Sequence, residues 1–269
     1  MIEIVINVDD PATLRLWHMI AELTERLPGG WVLIGGLMVQ LHAVEHGIVD
    51  VRPTRDIDVL GEARPPGALS AISAALRADG FILHDPDLDG YGYRYQRDEM
   101  IVDVLAPDGL KPPTSLGGGV TAVGVPGGTQ ALERSEEVRV RVGERSFELR
   151  RPTLLGAILI KARSLMVHGD PPSQREDLLR LLSLVDEPRE LSAGLRDTER
   201  RWLRQAEARL DLQAPSLLVP DLQRRAELAY RLLIRDATGS GRGTAALDRT
   251  AAPSRVVRRP PGKGLELDR

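Results

Sequence analysis

The chain has 269 residues and is 42% hydrophobic, enough for one large domain or two modest ones with a real core. Its net charge of −3 excludes a global pull toward nucleic acid, so any such contact needs a local basic patch. The absence of cysteine excludes disulfides, thiolate metal sites and cysteine nucleophiles, and no apolar run approaches the ~18–20 residues of a membrane span.

The first residues, Met1-Ile2-Glu3-Ile4-Val5, lack the basic start and apolar stretch of a signal peptide, so a cytoplasmic protein with no membrane partner is expected. An amphipathic helix should begin at Pro11, a favourable first-turn residue after Asp9 and Asp10, and carry Leu14, Ile20, Leu23 and Leu27 until Pro28-Gly29-Gly30 stops it. Trp31-Val32-Leu33-Ile34 reads as a short buried strand, and Gly35-Gly36 turns it into a helix running to about His46. A strand follows over Asp56-Ile57-Asp58-Val59-Leu60. Then come a helix over about 67–78, a strand at 81–83, and an antiparallel pair formed by 93–95 and 100–105.

The Gly- and Pro-rich stretch 106–128 reads as a long loop or flap over the sheet. Val138 to Val142 and Phe147 to Leu149 alternate around Gly143-Glu144, which predicts a hairpin. Past Pro152 the pattern becomes helical, near 153–168, 174–185, 198–210 and 220–235. The expected class is α+β: a mixed sheet flanked by helices over 1–150, then a helical bundle over 151–236. Residues 237–269 form a tail rich in Gly, Ser, Pro and charge that composition marks as disordered. The tail holds seven basic residues against three acidic ones, which suits phosphate contacts with RNA or an idle end alike.

Two stretches carry chemistry together. On a strand, Asp56 and Asp58 leave one face while Ile57 and Val59 leave the other. Paired carboxylates suit a hard cation such as Mg²⁺ and would otherwise repel each other. Gly35-Gly36, between strand and helix, lets the backbone approach a phosphate at a helix N-terminus. Asp103, in the apolar run Met100 to Leu105, supplies a third carboxylate and the best general-base candidate. Three carboxylates suffice for two Mg²⁺ ions, one at an acceptor hydroxyl and one at a leaving pyrophosphate. Metal-assisted phosphoryl chemistry is the simplest reading.

Other residues stay open between roles. Lys161 shares a helical stripe with Leu154, Ile158 and Leu165, where it either snorkels or contacts a triphosphate. Asp177 lines up with Leu181 and Leu184, either in an ion pair with Lys161 or Arg163 or in the site. Arg52 and Arg55 flank the Asp-x-Asp triplet and suit phosphate oxygens. His42 and His46 have a metal-binding spacing but no third nitrogen ligand, so they read as structural or substrate-lining. Tyr91, Tyr93 and Tyr95 alternate, placing all three on one strand face as a base-stacking or half-buried surface.

Ile34-Gly35-Gly36, Asp56-Ile57-Asp58 and the later Asp103 together resemble the polymerase-beta-like nucleotidyltransferase superfamily. Within it the chain is most similar to AbiEii and MenT-type toxins of toxin–antitoxin systems, through Arg52-Pro53-Thr54-Arg55-Asp56-Ile57-Asp58, Lys161-Ala162-Arg163 and Arg175-Glu176-Asp177-Leu178. The resemblance covers roughly residues 30–185. It implies transfer of NMP from an NTP with Mg²⁺ or Mn²⁺ held by Asp56, Asp58 and Asp103. It further implies Lys161 on the triphosphate, the 3′ end of tRNA as acceptor, and an antitoxin partner. Antibiotic-modifying enzymes share the motifs, so a small hydroxylated acceptor is the alternative, and a silent binding module is another. The chain departs from the pattern in one respect: 20 positions separate Gly36 from Asp56, which predicts an inserted loop around Gly47 to Pro53.

Overall fold

A computed structural model of the chain describes residues 2–7, 10–27, 29–48, 53–64, 66–167 and 172–235, which belong to one compact unit, Met1–Asp236. The architecture is mixed α+β with a helical C-terminal region, as the patterning predicts. Arg52, much of the predicted inserted loop, and the tail 237–269 lie outside the described residues.

In chain order the elements begin with β1 (Ile2–Ile6), α1 (Pro11–Arg26), β2 (Trp31–Ile34), α2 (Gly35–Glu45), β3 (Asp56–Gly61), α3 (Ala68–Ala78), β4 (Ile82–Leu83), β5 (Tyr91–Gly92), β6 (Arg94–Arg97) and β7 (Met100–Pro107). Then follow β8 (Ser115–Gly117), β9 (Val120–Ala122), β10 (Gly124–Val125), α4 (Gly128–Glu133), β11 (Ser135–Val142) and β12 (Arg145–Pro152). The chain continues as α5 (Leu154–Ser164), α6 (Pro172–Ser183), α7 (Pro188–Ala193), α8 (Asp197–Leu210) and α9 (Pro220–Leu233).

The central sheet has the order β2-β3-β7-β6-β4, with β10 added beside the end of β7. Only the β3–β7 and β7–β10 pairings are parallel; β2–β3, β7–β6 and β6–β4 are antiparallel. A second sheet joins β1 in parallel to the β11–β12 hairpin. Its Gly143 takes φ +57°, the left-handed conformation that the tight turn requires. Local chemistry explains the helix starts. Asp10 caps α1, accepting a 2.8 Å hydrogen bond from the Thr13 amide, and Pro11 sits at a first-turn position where no amide donor is lost. Thr153 caps α5 through the Gly156 amide.

One face of the central strands is wholly apolar: Leu33, Ile57, Val59, Val102 and Val104 lie side by side across β2, β3 and β7 and are fully buried. Helix α6 packs on both α2 and α5, and one apolar cluster runs from Ile4 through the sheet helices to Leu233.

Two expectations need correction. The stretch 106–128 is not a structureless flap: β8 pairs with β9 and β9 with β5 in a small third sheet, and β10 extends the central one. Short strands separated by glycines carry too little periodicity to stand out from a loop. Nor do the three tyrosines share a strand face. The chain passes from β5 to β6 at Tyr93, leaving Tyr91 and Tyr93 exposed while Tyr95 is buried and donates a 2.6 Å hydrogen bond to Ser73.

Candidate active site

The register of the central sheet builds one row of side chains. Ile34 at the end of β2 pairs with Asp58, Asp58 with Asp103, and Asp103 with Arg94. Residues opposite each other on neighbouring strands point to the same side, so Asp58, Asp103 and Arg94 face one space. Asp56, two residues before Asp58, joins them. Ligand oxygens of Asp56, Asp58 and Asp103 lie within 4.8 Å of one another, and these three are the group among the described residues that suits a metal ion.

Gly35 is what lets Asp58 sit where it does. The Asp58 carboxylate occupies the space a Gly35 Cβ would take, its Cγ 2.5 Å from that position, and Gly35 itself has φ +71°. A side chain there would meet both a steric block and backbone strain. Thr54 fixes the next carboxylate by donating a 3.0 Å hydrogen bond to Asp56 Oδ1.

The electrostatics are unbalanced. Burial, followed by the neighbouring charges of Asp56 and Asp103, pushes the Asp58 carboxyl up to about 7. Burial also raises Asp103, against the opposing pull of Arg94. Arg94 engages both oxygens of Asp103, Nε to Oδ1 at 2.8 Å and Nη2 to Oδ2 at 2.7 Å, with Asp56 Oδ2 3.5 Å away. Asp58 accepts no such hydrogen bond among the described residues. One guanidinium therefore faces three carboxylates, which leaves an excess of hard oxygen donors that fits a divalent cation.

Asp56 and Asp58 open on a cleft of about 530 Å³, within the range of small-molecule and cofactor sites. Gly35 and Gly36 at the start of α2 line it, as do Ser173 and Gln174 in the first turn of α6. Two helix N-termini thus bring positive dipole ends to one cleft beside Asp56 and Asp58. Arg55 and Lys161 line it too. Lys161 is 4% exposed and donates 2.9 Å hydrogen bonds to Gln174 Oε1 and Asp177 Oδ2. Asp177 is equally buried and is not part of the cleft wall. Lys161 therefore does not snorkel to solvent: it is buried and ion-paired with Asp177, and it lines the cleft.

Other motif residues hold helices together. Arg163 stacks on Trp202 with 4.9 Å between guanidinium and ring centre, and Arg175 donates to the carbonyls of Leu210, Asp211, Ala214 and Pro215. His42 lies buried with Nε2 3.0 Å from the Pro152 carbonyl, and His46 Nδ1 is 2.8 Å from the His42 carbonyl, so neither joins the carboxylates. Burial, then Arg151, holds His42 well below its ordinary value, in the neutral form.

Sequence reasoning missed Arg94, Thr54, Ser173 and Gln174. A signal for Arg94 existed: an antiparallel pair with its turn at Asp98-Glu99 sets Arg94 opposite Asp103. Searches against protein-family models and curated proteins find no match for this chain.

Proposed function

We propose that this chain is a divalent-metal-dependent nucleotidyltransferase, moving NMP from an NTP to an acceptor hydroxyl. The 3′ end of tRNA is the leading acceptor, and the biological setting is that of a toxin with an antitoxin partner. The observation that supports it best is that Asp56 and Asp58 share one cleft with the Gly35-Gly36 helix start and cluster there with Asp103 behind them, all three carboxylates within 4.8 Å of one another. The sequence resemblance to AbiEii and MenT-type toxins points the same way.

In the proposed reaction, the acceptor oxygen forms a bond to the α-phosphorus as the α–β phosphoanhydride bond breaks, and pyrophosphate leaves with the bonding pair. Asp56, Asp58 and Asp103 would hold Mg²⁺ or Mn²⁺, which supplies charge neutralisation at the phosphates. The first amides of α2 and α6 and the Lys161 ammonium bind the phosphate tail. Asp103, its carboxyl raised by burial, takes the acceptor proton once Arg94 frees an oxygen.

One observation favours a second reading. Arg94 covers both oxygens of Asp103, which is the arrangement expected of a fold that binds nucleotide without turnover. The test is to incubate the protein with Mg²⁺, bulk tRNA and each NTP labelled at the α or the γ position, beside Asp56→Ala. Transfer of α-label alone, lost in the variant, supports the proposal. Bound NTP without label on RNA moves the reading to a small hydroxylated acceptor or a silent fold. Undiminished transfer by folded Asp56→Ala refutes the mechanism.

A further inference from the structure

We infer that Arg94 is a displaceable counter-ion of the carboxylate cluster, a built-in cation that a divalent metal must drive off Asp103 before the site is fully assembled. The inference rests on the reading of Asp56, Asp58 and Asp103 as metal ligands and adds a control on when that metal binds.

The geometry carries the argument. Asp103 is 4% exposed, and an ionised carboxylate so placed is costly unless a cation pairs with it or a metal takes it as ligand. Without metal, that partner is the Arg94 fork, bidentate at 2.8 and 2.7 Å, and the same guanidinium reaches Asp56 at 3.5 Å. It therefore spans two of the three proposed ligands. A dication bridging those oxygens would stand a few ångströms from a guanidinium that stays charged throughout the accessible pH range, and the two repel.

The backbone cannot relieve this. Arg94 and Asp103 are directly paired across β6 and β7, so only side-chain rotation separates them. A route for that rotation is open: the Arg94 side chain is 34% exposed, and its guanidinium carbon already lies 5.6 Å from the ring centre of exposed Tyr93. The aromatic face is a landing place that keeps the cation partly paired. A purely structural role would be to orient Asp103 for the metal, and it makes the opposite prediction.

The test is calorimetric titration of the full chain with MnCl₂, without nucleotide, comparing wild type, Asp56→Ala, Arg94→Ala and Arg94→Lys, each checked for folding by circular dichroism. The expected result is Mn²⁺ binding at least tenfold tighter in Arg94→Ala than in wild type, with Arg94→Lys between them because it keeps the charge but loses the fork. If Arg94→Ala does not fold, tighter binding by Arg94→Lys carries the same support. Unchanged or weaker binding in the folded Arg94 variants overturns the inference but leaves the metal site standing, provided that wild type binds and Asp56→Ala does not. Absence of Mn²⁺ binding in every protein overturns both.

Discussion

Replacing Asp58 by Asn should stabilise the metal-free protein. The Asp58 carboxyl is pushed up to about 7, against about 3.9 for an unfolded aspartate. A raised folded value means that its contribution is complete below about pH 3.9 and is lost as pH rises through about 7. Three pH units correspond to about 4 kcal/mol. Because the carboxylate opens on the cleft, water screens part of the effect, and about 2 kcal/mol is the working magnitude. Urea denaturation in EDTA should give the two proteins equal stability near pH 4. By pH 8, Asp58→Asn should be ahead by about 2 kcal/mol, or roughly 4–8 °C in melting temperature. Magnesium at a hundredfold excess over its dissociation constant adds about 2.7 kcal/mol to a protein that binds it, enough to reverse the order in favour of wild type. A wild type at least as stable as Asp58→Asn in EDTA at pH 8, or a gap independent of pH, would refute the reasoning.

Further outcomes concern single residues. Gly35→Ala should cost about 1–2 kcal/mol from the left-handed backbone alone and should abolish Mn²⁺ binding, because the new Cβ displaces the Asp58 carboxylate; calorimetry showing normal binding would contradict this. Asp177→Ala strands the buried Lys161 ammonium and should lower stability by about 3 kcal/mol in urea titrations. The double variant Lys161→Met/Asp177→Leu should recover most of that stability yet bind NTP weakly; full NTP affinity would make Lys161 purely structural. His42, held neutral, should cost stability as pH falls below about 6.5, since the unfolded chain takes up the proton first. His42→Gln should flatten that limb of the pH–stability curve, and a parallel decline would count against it.

Much of the site was legible because it depends on local patterns. The period of two in Asp56-Ile57-Asp58 and the Gly35-Gly36 turn fix where carboxylates and helix start point within a few residues of chain. The lone Asp103 stood out because an apolar strand has no reason to carry an unpaired charge. Arg94 was harder to see: its role exists only through the pairing of β6 with β7, and arginines are abundant in this chain. The start of α6 was hidden for a similar reason, since Ser173 and Gln174 reach the cleft only when that helix packs on α2 and α5. Strand β1 escaped notice because it is completed by β11, more than a hundred residues away. The tyrosine pattern misled because the alternation runs on across the break between β5 and β6, which put Tyr91 and Tyr95 in different sheets.

The most direct test of a metal–nucleotide cleft is a crystal of the full chain grown with MnCl₂ and a non-hydrolysable NTP analogue, read by anomalous scattering. The expected result is manganese signal at Asp56, Asp58 and Asp103, triphosphate density against Gly35-Gly36, and the Arg94 guanidinium moved off Asp103. Manganese absent from the carboxylates, or an analogue bound away from the Gly35-Gly36 turn, would contradict it.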